Sequence, residues 1–449
     1  MNDLCVDPLN PCPPIGAMYA TFGVHAALPL SHGASGCCRF QRMEISKHFQ
    51  KTVRVPSSLL RDRAATFGGE SELREAVGNA FRLYDPDVIV VHTTCLSETI
   101  GDDVEGMMAS VDVPDGKAVA WASTPGYAGS HLLGYDATAA AIIDQLAAPA
   151  AGAAFYRGAR SVALVPGWMN PVDVDEAARY ASAFFGDVLV APDVRGVFDM
   201  RTDDDPRRYA RGGATRETLS RMPSCACGIA LGEEATARSS AALGRALGTR
   251  PVRRLGLPVG ISATDAYIAT LAELSGAPAP EWLACERRQA VDRMLGLADA
   301  LYGLRAAIVC DADLAVGLAS LCADAGIDVV CAAVGDARPD FERRVREAGR
   351  MAEDSLALSG VDRLQVEDAL ADASVDIVLG DTRNKRLAAR LGAPLVRVGF
   401  PVVDRPLAFT EPVACYAGVT SLLRRIAGAR LDAAEAVMAP EDMIISRYF

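Results

Sequence analysis

The chain has 449 residues, half of them hydrophobic, and a formal net charge of −12. Length and composition exclude a disordered chain and leave room for about two to four domains, and the acidic balance excludes a broad basic face for nucleic acid. No apolar run reaches the roughly 18–20 residues of a membrane helix, and the opening Met-Asn-Asp-Leu lacks the basic and apolar regions of a secretory signal. A cytoplasmic protein with no membrane or nucleic-acid partner is expected.

In chain order, CPPIGAMYA (12–20) places Cys12 before two prolines that fix the backbone, with Gly16 permitting a close approach. SHGASGCC (31–38) is a glycine-bearing turn that opens a helix near Cys37. VIVVHTTC (88–95) reads as a buried strand ending in a polar turn at Cys95. SETIGDDVEGMMASV follows with helical character, and its carboxylates Glu98, Asp102 and Asp103 read as helix capping. AVAWAST (118–124) is the next strand, closed by Pro125 and Gly126. SVALVPG (161–167) and DVLVAPD (187–193) flank a helix at about 172–185.

DDDPRR (203–208) reads as a solvated loop, and SCACGIALG as a strand in which Cys225 and Cys227 pack structurally. A helical stretch at 281–304 bridges to two strand–helix–strand segments, 305–336 and 375–401. The alternation predicts an α/β protein of three doubly wound, Rossmann-like domains with parallel sheets. Their ranges are 1–158, 159–294 and 295–449, with the Ala-rich stretch 145–160 joining the first two. In such sheets ligands sit outside the carboxyl ends of the strands.

Twelve cysteines in a cytosolic chain leave a choice between buried structural thiols and metal or redox ligands. Cys285, Cys310, Cys322, Cys331 and Cys415 lie in helical or apolar contexts and read as core packing. Cys12, Cys37 and Cys95 stand at turns or strand ends instead. A helix start favours a thiolate there, and flanking glycines let backbone N–H groups approach cluster sulfides. Their spacing matches neither a CxxC zinc site nor a ferredoxin. All five histidines fall within the first 131 residues, which points to polar chemistry in the N-terminal third. GxxxxGK[ST] is absent, as are GxSxG and a strand-fed GxGxxG, so nucleotide-loop and hydrolase-elbow readings lack support.

CPPIGAMYATFGVHAALPLSHGASGCCRFQRMEISKHFQ (12–50), TFGG (66–69) and VVHTTCLSETIGDD (90–103) together resemble the β subunit of nitrogenase component 1. TPGYAGSHLLGYD (124–136), PGWMNP (166–171) and VRVGFPVVDR (396–405) continue the resemblance in order. It implies an oxidoreductase subunit carrying half of an 8Fe-7S P-cluster shared with an α subunit. By motif the metal ligands on this chain are Cys12, Cys37 and Cys95, with Ser130 able to add its oxygen to the oxidised cluster. A hard alkoxide suits the more oxidised iron. The family's intervals, 24 residues between Cys12 and Cys37 and 57 between Cys37 and Cys95, select Cys37 over Cys38. Adjacent helical side chains point about 100° apart, so Cys38 should face into packing.

The resemblance further implies an α2β2 heterotetramer and an ATP-hydrolysing 4Fe-4S reductase homodimer as electron donor, docking at Phe67. The substrate-reducing iron–sulfur cofactor then belongs to the α subunit, and this chain carries no catalytic residue for the substrate. Departures are visible: Ser35 replaces the usual glutamine of the HGxQGC turn, RGGATRETL (211–219) lacks a customary histidine, and Val172 replaces a glycine. The lack of a long N-terminal extension brings the vanadium and iron-only versions nearer than the molybdenum one. These departures favour a diverged nitrogenase-like reductase cleaving the C–S bond of methylthio-alkanes. An iron-only or vanadium-type nitrogenase is the alternative, and a cofactor-assembly scaffold a further one.

Overall fold

The computed structural model describes residues 5–147, 160–198, 209 and 212–439. Among them, twelve strands build three all-parallel sheets, so the expected α/β class holds. The first sheet has the order β1-β2-β3, from β1 (Ala27–His32), β2 (Val88–Thr93) and β3 (Ala118–Ala122). The second runs β5-β4-β6-β7, from β4 (Ser161–Val165), β5 (Asp187–Val190), β6 (Cys227–Leu231) and β7 (Val252–Leu255). The third runs β10-β9-β8-β11-β12, from β8 (Arg305–Val309), β9 (Asp328–Val334), β10 (Leu356–Ser359), β11 (Ile377–Gly380) and β12 (Leu395–Arg397).

Two compact units result. One comprises Pro11–Leu257 and Tyr267–Pro280, with the first two sheets. The other comprises the described residues of Met1–Asn10, Pro258–Ala266 and Glu281–Phe449, with the third sheet. A division into three domains, one sheet to each, remains our proposal; its boundary at 158 lies outside the described residues, as does DDDPRR.

The segment before β2 holds β1, which the sequence hides because it contains Pro29 and ends on Ser31 and His32. It is an edge strand of its sheet, where a missing N–H is tolerated. β2 is buried on both faces, as an apolar run in a parallel sheet requires. On one face Ile89 and Val91 of β2, with Leu28 and Leu30 of β1, pack against Leu73, Val77, Ala80 and Phe81. The seven helices of this region are α1 (Pro13–Phe22), α2 (Ser35–His48), α3 (Asp62–Phe67), α4 (Glu70–Tyr84), α5 (Cys95–Ile100), α6 (Val104–Ala109) and α7 (His131–Leu146). The helical segment expected after Cys95 is two short helices, α5 and α6, because Gly101 turns the chain at φ +78°.

Cys225, Cys227, Cys310, Cys322, Cys331 and Cys415 are buried, as core packing requires. Cys285 departs from that expectation: it is half-buried on the helix Glu281–Gly296, within reach of Gln289. In the third sheet the strand order reverses between β8 and β11, and Asp311 follows β8 at that point. Its Oδ1 accepts the Leu314 N–H at 3.0 Å as a helix cap. Burial, only partly offset by that amide, pushes the carboxyl up to about 7. The folded chain therefore holds this proton more tightly than the unfolded chain, whose aspartates titrate near 3.9. The contribution to stability is complete below about 4 and is lost as pH rises through about 7. Asp311→Asn keeps a capping oxygen and cannot ionise, so its thermal midpoint should fall less than the parent's between pH 5 and 8.

Candidate functional site

Two helix starts meet on one side of the first sheet because two glycines let their backbones touch. A Cβ on Gly16 of α1 would stand 1.8 Å from the His131 carbonyl oxygen, and one on Gly134 of α7 1.8 Å from the Pro13 carbonyl oxygen. The His131 N–H donates to the Pro11 carbonyl at 3.0 Å, holding the two N-termini side by side. Cys12 is the N-cap of α1, with Pro13 filling the first helical position, where no N–H is needed. Ser130 is the N-cap of α7; its buried Oγ accepts the Leu132 N–H at 3.3 Å.

The other two thiols leave the carboxyl ends of adjacent parallel strands. β1 and β2 pair His32 with Thr93, and each strand turns directly into a helix. A Cβ on Gly33 would lie 1.9 Å from Thr94 Oγ1, so only glycine lets the β1 turn lie against the N-cap of α5. The Thr94 N–H and the Ser97 hydroxyl both donate to the His32 carbonyl, at 3.1 and 2.9 Å. Cys37 is exposed in the first turn of α2. Cys38 points inward, its thiol donating to the Val55 carbonyl at 3.4 Å and pushed up to about 11 by burial. A Cβ on Gly36 would meet no protein atom within 4 Å.

Cys95 opens α5, exposed, and its Sγ accepts the Gly126 N–H at 3.2 Å. A Cβ on Gly126 would stand 2.8 Å from that sulfur. Cys12 is half-buried, and burial first, then the neighbouring Cys95 and Cys37 sulfurs, push its thiol above the ordinary value. The three sulfurs therefore share one electrostatic neighbourhood. Among the described residues no three His, Cys, Asp or Glu side chains converge on a single ion position. Thiols that are neighbours without converging suit separate iron atoms of a polynuclear centre, and an N–H···S bond from a glycine amide suits a cluster ligand. The donor set fits such a group.

Phe67, the last residue of α3, is 80% exposed and followed by Gly68 at φ +84°. Other large apolar side chains stand out near the thiols in sequence: Phe40 and Met43 on α2, and Tyr127 beside Gly126. Of the three acidic residues expected to cap, Asp103 does so, accepting the Gly106 N–H at 3.0 Å. Glu98 instead accepts the Thr93 and Ser123 hydroxyls, each at 2.5 Å. Asp102 turns inward to His32 Nε2 at 2.9 Å.

His32 and Asp102 thus form a buried pair beside the thiol-bearing turns; sequence reasoning gave His32 no role and read Asp102 as a helix cap. The remaining histidines serve structure. His25 Nδ1 lies 3.0 Å from the Gly212 carbonyl and His48 Nε2 3.4 Å from Asn170 Oδ1. The His131 ring packs edge-on against Trp168. His92 is fully buried and held neutral, pushed down to about 3 by burial.

An α/β protein that gathers exposed thiols, a serine cap and a glycine amide at the strand ends of a parallel sheet has the donor set of an iron–sulfur protein. Residues 12–430 match the family profile of the nitrogenase component 1 type oxidoreductases, and the chain belongs to that family. It is 32% identical to the nitrogenase molybdenum-iron protein beta chain of Clostridium pasteurianum, across 99% of this chain and 97% of that one. It is 31% identical to the nitrogenase vanadium-iron protein beta chain of Trichormus variabilis, across 94% and 93%. The solved structure of nitrogenase Cp1 at pH 6.5 superposes with a TM-score of 0.93 at 31% identity, covering 98% of this chain and 96% of that one. The expectation that vanadium-type chains lie nearer than molybdenum-type ones does not hold: the two identities are level.

The helix contact makes a direct prediction. Gly134→Ala should force α1 and α7 apart and cost at least about 1–3 kcal/mol, the range for an overpacked core. Gly78→Ala, in α4 with nothing within 4 Å of its added Cβ, should be neutral or stabilising by up to about 1 kcal/mol. Denaturant melts of the two variants read the difference.

Proposed function

We propose that this chain is the electron-relaying β subunit of a two-component, nitrogenase-like reductase, binding half of a P-cluster through Cys12, Cys37 and Cys95, with Ser130 as a fourth donor. The observation that carries the reading is the gathering of three non-convergent thiols, two of them exposed, on one side of a sheet within an oxidoreductase family. Half of a shared centre needs ligands that face outward to a partner. The apolar Phe40, Met43 and Tyr127 supply surface for an α subunit in an α2β2 assembly. Phe67, exposed on its own short helix, is the docking residue for the ATP-hydrolysing reductase.

When bound, the cluster supplies one-electron storage between the reductase and the α-subunit cofactor. The protein's own part is to hold the ligands. The Gly126 amide donates to the Cys95 sulfur and fixes its orientation. The Ser130 oxygen is held in place by the Leu132 amide, within a buried helix cap. Cys95→Ala, purified anaerobically with its α subunit, should lose iron and the P-cluster EPR signals while retaining the fold by circular dichroism. Intact signals would remove Cys95 from the ligand set.

For the substrate we favour C–S cleavage of a methylthio-alkane, in which two electrons and two protons convert the thioether to methanethiol and an alkane. Support comes from the departures at Ser35, at 211–219 and at Val172, and from near-equal distance to molybdenum and vanadium β chains. The names of those relatives favour dinitrogen as the second reading. The purified complex with its reductase should release a volatile thiol from a methylthio-alkane and form little ammonia under dinitrogen. Rapid ammonia formation would reverse the order.

A further inference from the structure

His32 is fully buried at the end of β1, and its two ring nitrogens join groups on either side of it. Nε2 lies 2.9 Å from Asp102 Oδ2 and Nδ1 2.9 Å from Ser58 Oγ. Burial holds the ring below its ordinary pKa despite Asp102, so it is neutral and carries one proton. A carboxylate only accepts, so that proton sits on Nε2 and Nδ1 accepts from the Ser58 hydroxyl. Ser58 Oγ in turn accepts the Gly33 N–H at 3.2 Å. On the other side, Asp102 Oδ1 accepts the Gly69 N–H at 2.9 Å.

One unbroken chain of hydrogen bonds therefore runs Gly69–Asp102–His32–Ser58–Gly33. Its first member is two residues from Phe67, and its last is four residues from Cys37. The His32 carbonyl also receives Thr94 and Ser97, the cap of the helix that Cys95 opens. Packing reinforces the link: a Cβ on Gly69 would lie 2.7 Å from Asp102 Oδ2 and 2.9 Å from His32 Cε1. The Phe67 turn thus rests directly on the buried pair.

We infer that His32 and Asp102 are a positioning pair that couples the Phe67 turn to the turns bearing Cys37 and Cys95. Docking at Phe67 and electron acceptance at the thiols are kept in register by this pair. The inference rests on the proposed cluster and reductase-docking reading, and it adds the means by which the two places communicate.

The test uses the complete complex with its reductase and compares parent, Asp102→Ala, Asp102→Asn, Gly69→Ala and Phe67→Ala. Four readouts are taken: iron content, the apparent KM for the reductase, ATP hydrolysed per electron transferred, and proton reduction driven by a europium(II) chelate without the reductase. Asp102→Ala and Gly69→Ala should keep parental iron and parental chelate-driven activity. Both should raise ATP per electron by at least about threefold, within the range that perturbing a coupling network produces. Asp102→Asn should restore coupling. Its Oδ1 still accepts Gly69, its amide N–H donates to Nε2, and the tautomer reverses so that Nδ1–H donates to Ser58. The double variant Phe67→Ala/Asp102→Ala should be no worse than the more impaired single variant, as two changes in one linkage are non-additive.

Parental coupling in Asp102→Ala and Gly69→Ala would overturn the inference. So would equal loss of chelate-driven activity or loss of iron in both variants, which would make the pair part of cluster retention. An Asp102→Asn as uncoupled as Asp102→Ala would assign the effect to charge and also overturn it. A parent complex without iron, or without response to the reductase, would instead overturn the underlying functional reading.

Discussion

The backbone contact between α1 and α7 is the constraint on which the N-terminal half depends. Glycine at 16 and at 134 removes the two Cβ atoms that would keep these helices a side chain apart. The close approach brings the Cys12 cap and the Ser130 cap together, and the His131 amide ties them across Pro11. With ordinary helix spacing of about 8–10 Å, the serine could not share a site with that thiol.

The turns that bear Cys37 and Cys95 obey a different rule. β1 and β2 are parallel neighbours in register, so the turns that follow them are neighbours as well, wherever they lie in the sequence. Gly33 lets one turn lie against the cap of the other. His32 then occupies the one position from which a single ring reaches both the turn of Cys37, through Ser58, and the turn after Phe67, through Asp102. Its neutrality follows from burial outweighing a carboxylate in contact. A neutral ring with one donor and one acceptor gives the hydrogen-bond chain a direction.

Belonging to an oxidoreductase family with nitrogenase β-chain relatives bounds what this chain contributes. The described polar groups around its thiols are helix caps and a buried histidine–carboxylate pair. Level identity to molybdenum and vanadium chains leaves the substrate to the partner that holds the active-site cofactor.

Much of this was legible in the residues themselves. Buried parallel strands such as VIVVHTTC announce themselves by composition, because both faces are covered and no polar alternation survives. Cys37 and Cys38 separate by helical rotation alone: one is outside and the other inside. β1 was not legible, since Pro29 disguises an edge strand whose missing N–H costs nothing at that edge. Nor was the role of Asp102, which looks like any helix-start carboxylate until a histidine 70 residues earlier is folded against it. Local chemistry determined which residues could be ligands. Only the tertiary structure decided which groups meet, because that depends on strand register and on two missing Cβ atoms, and neither is a property of any short segment.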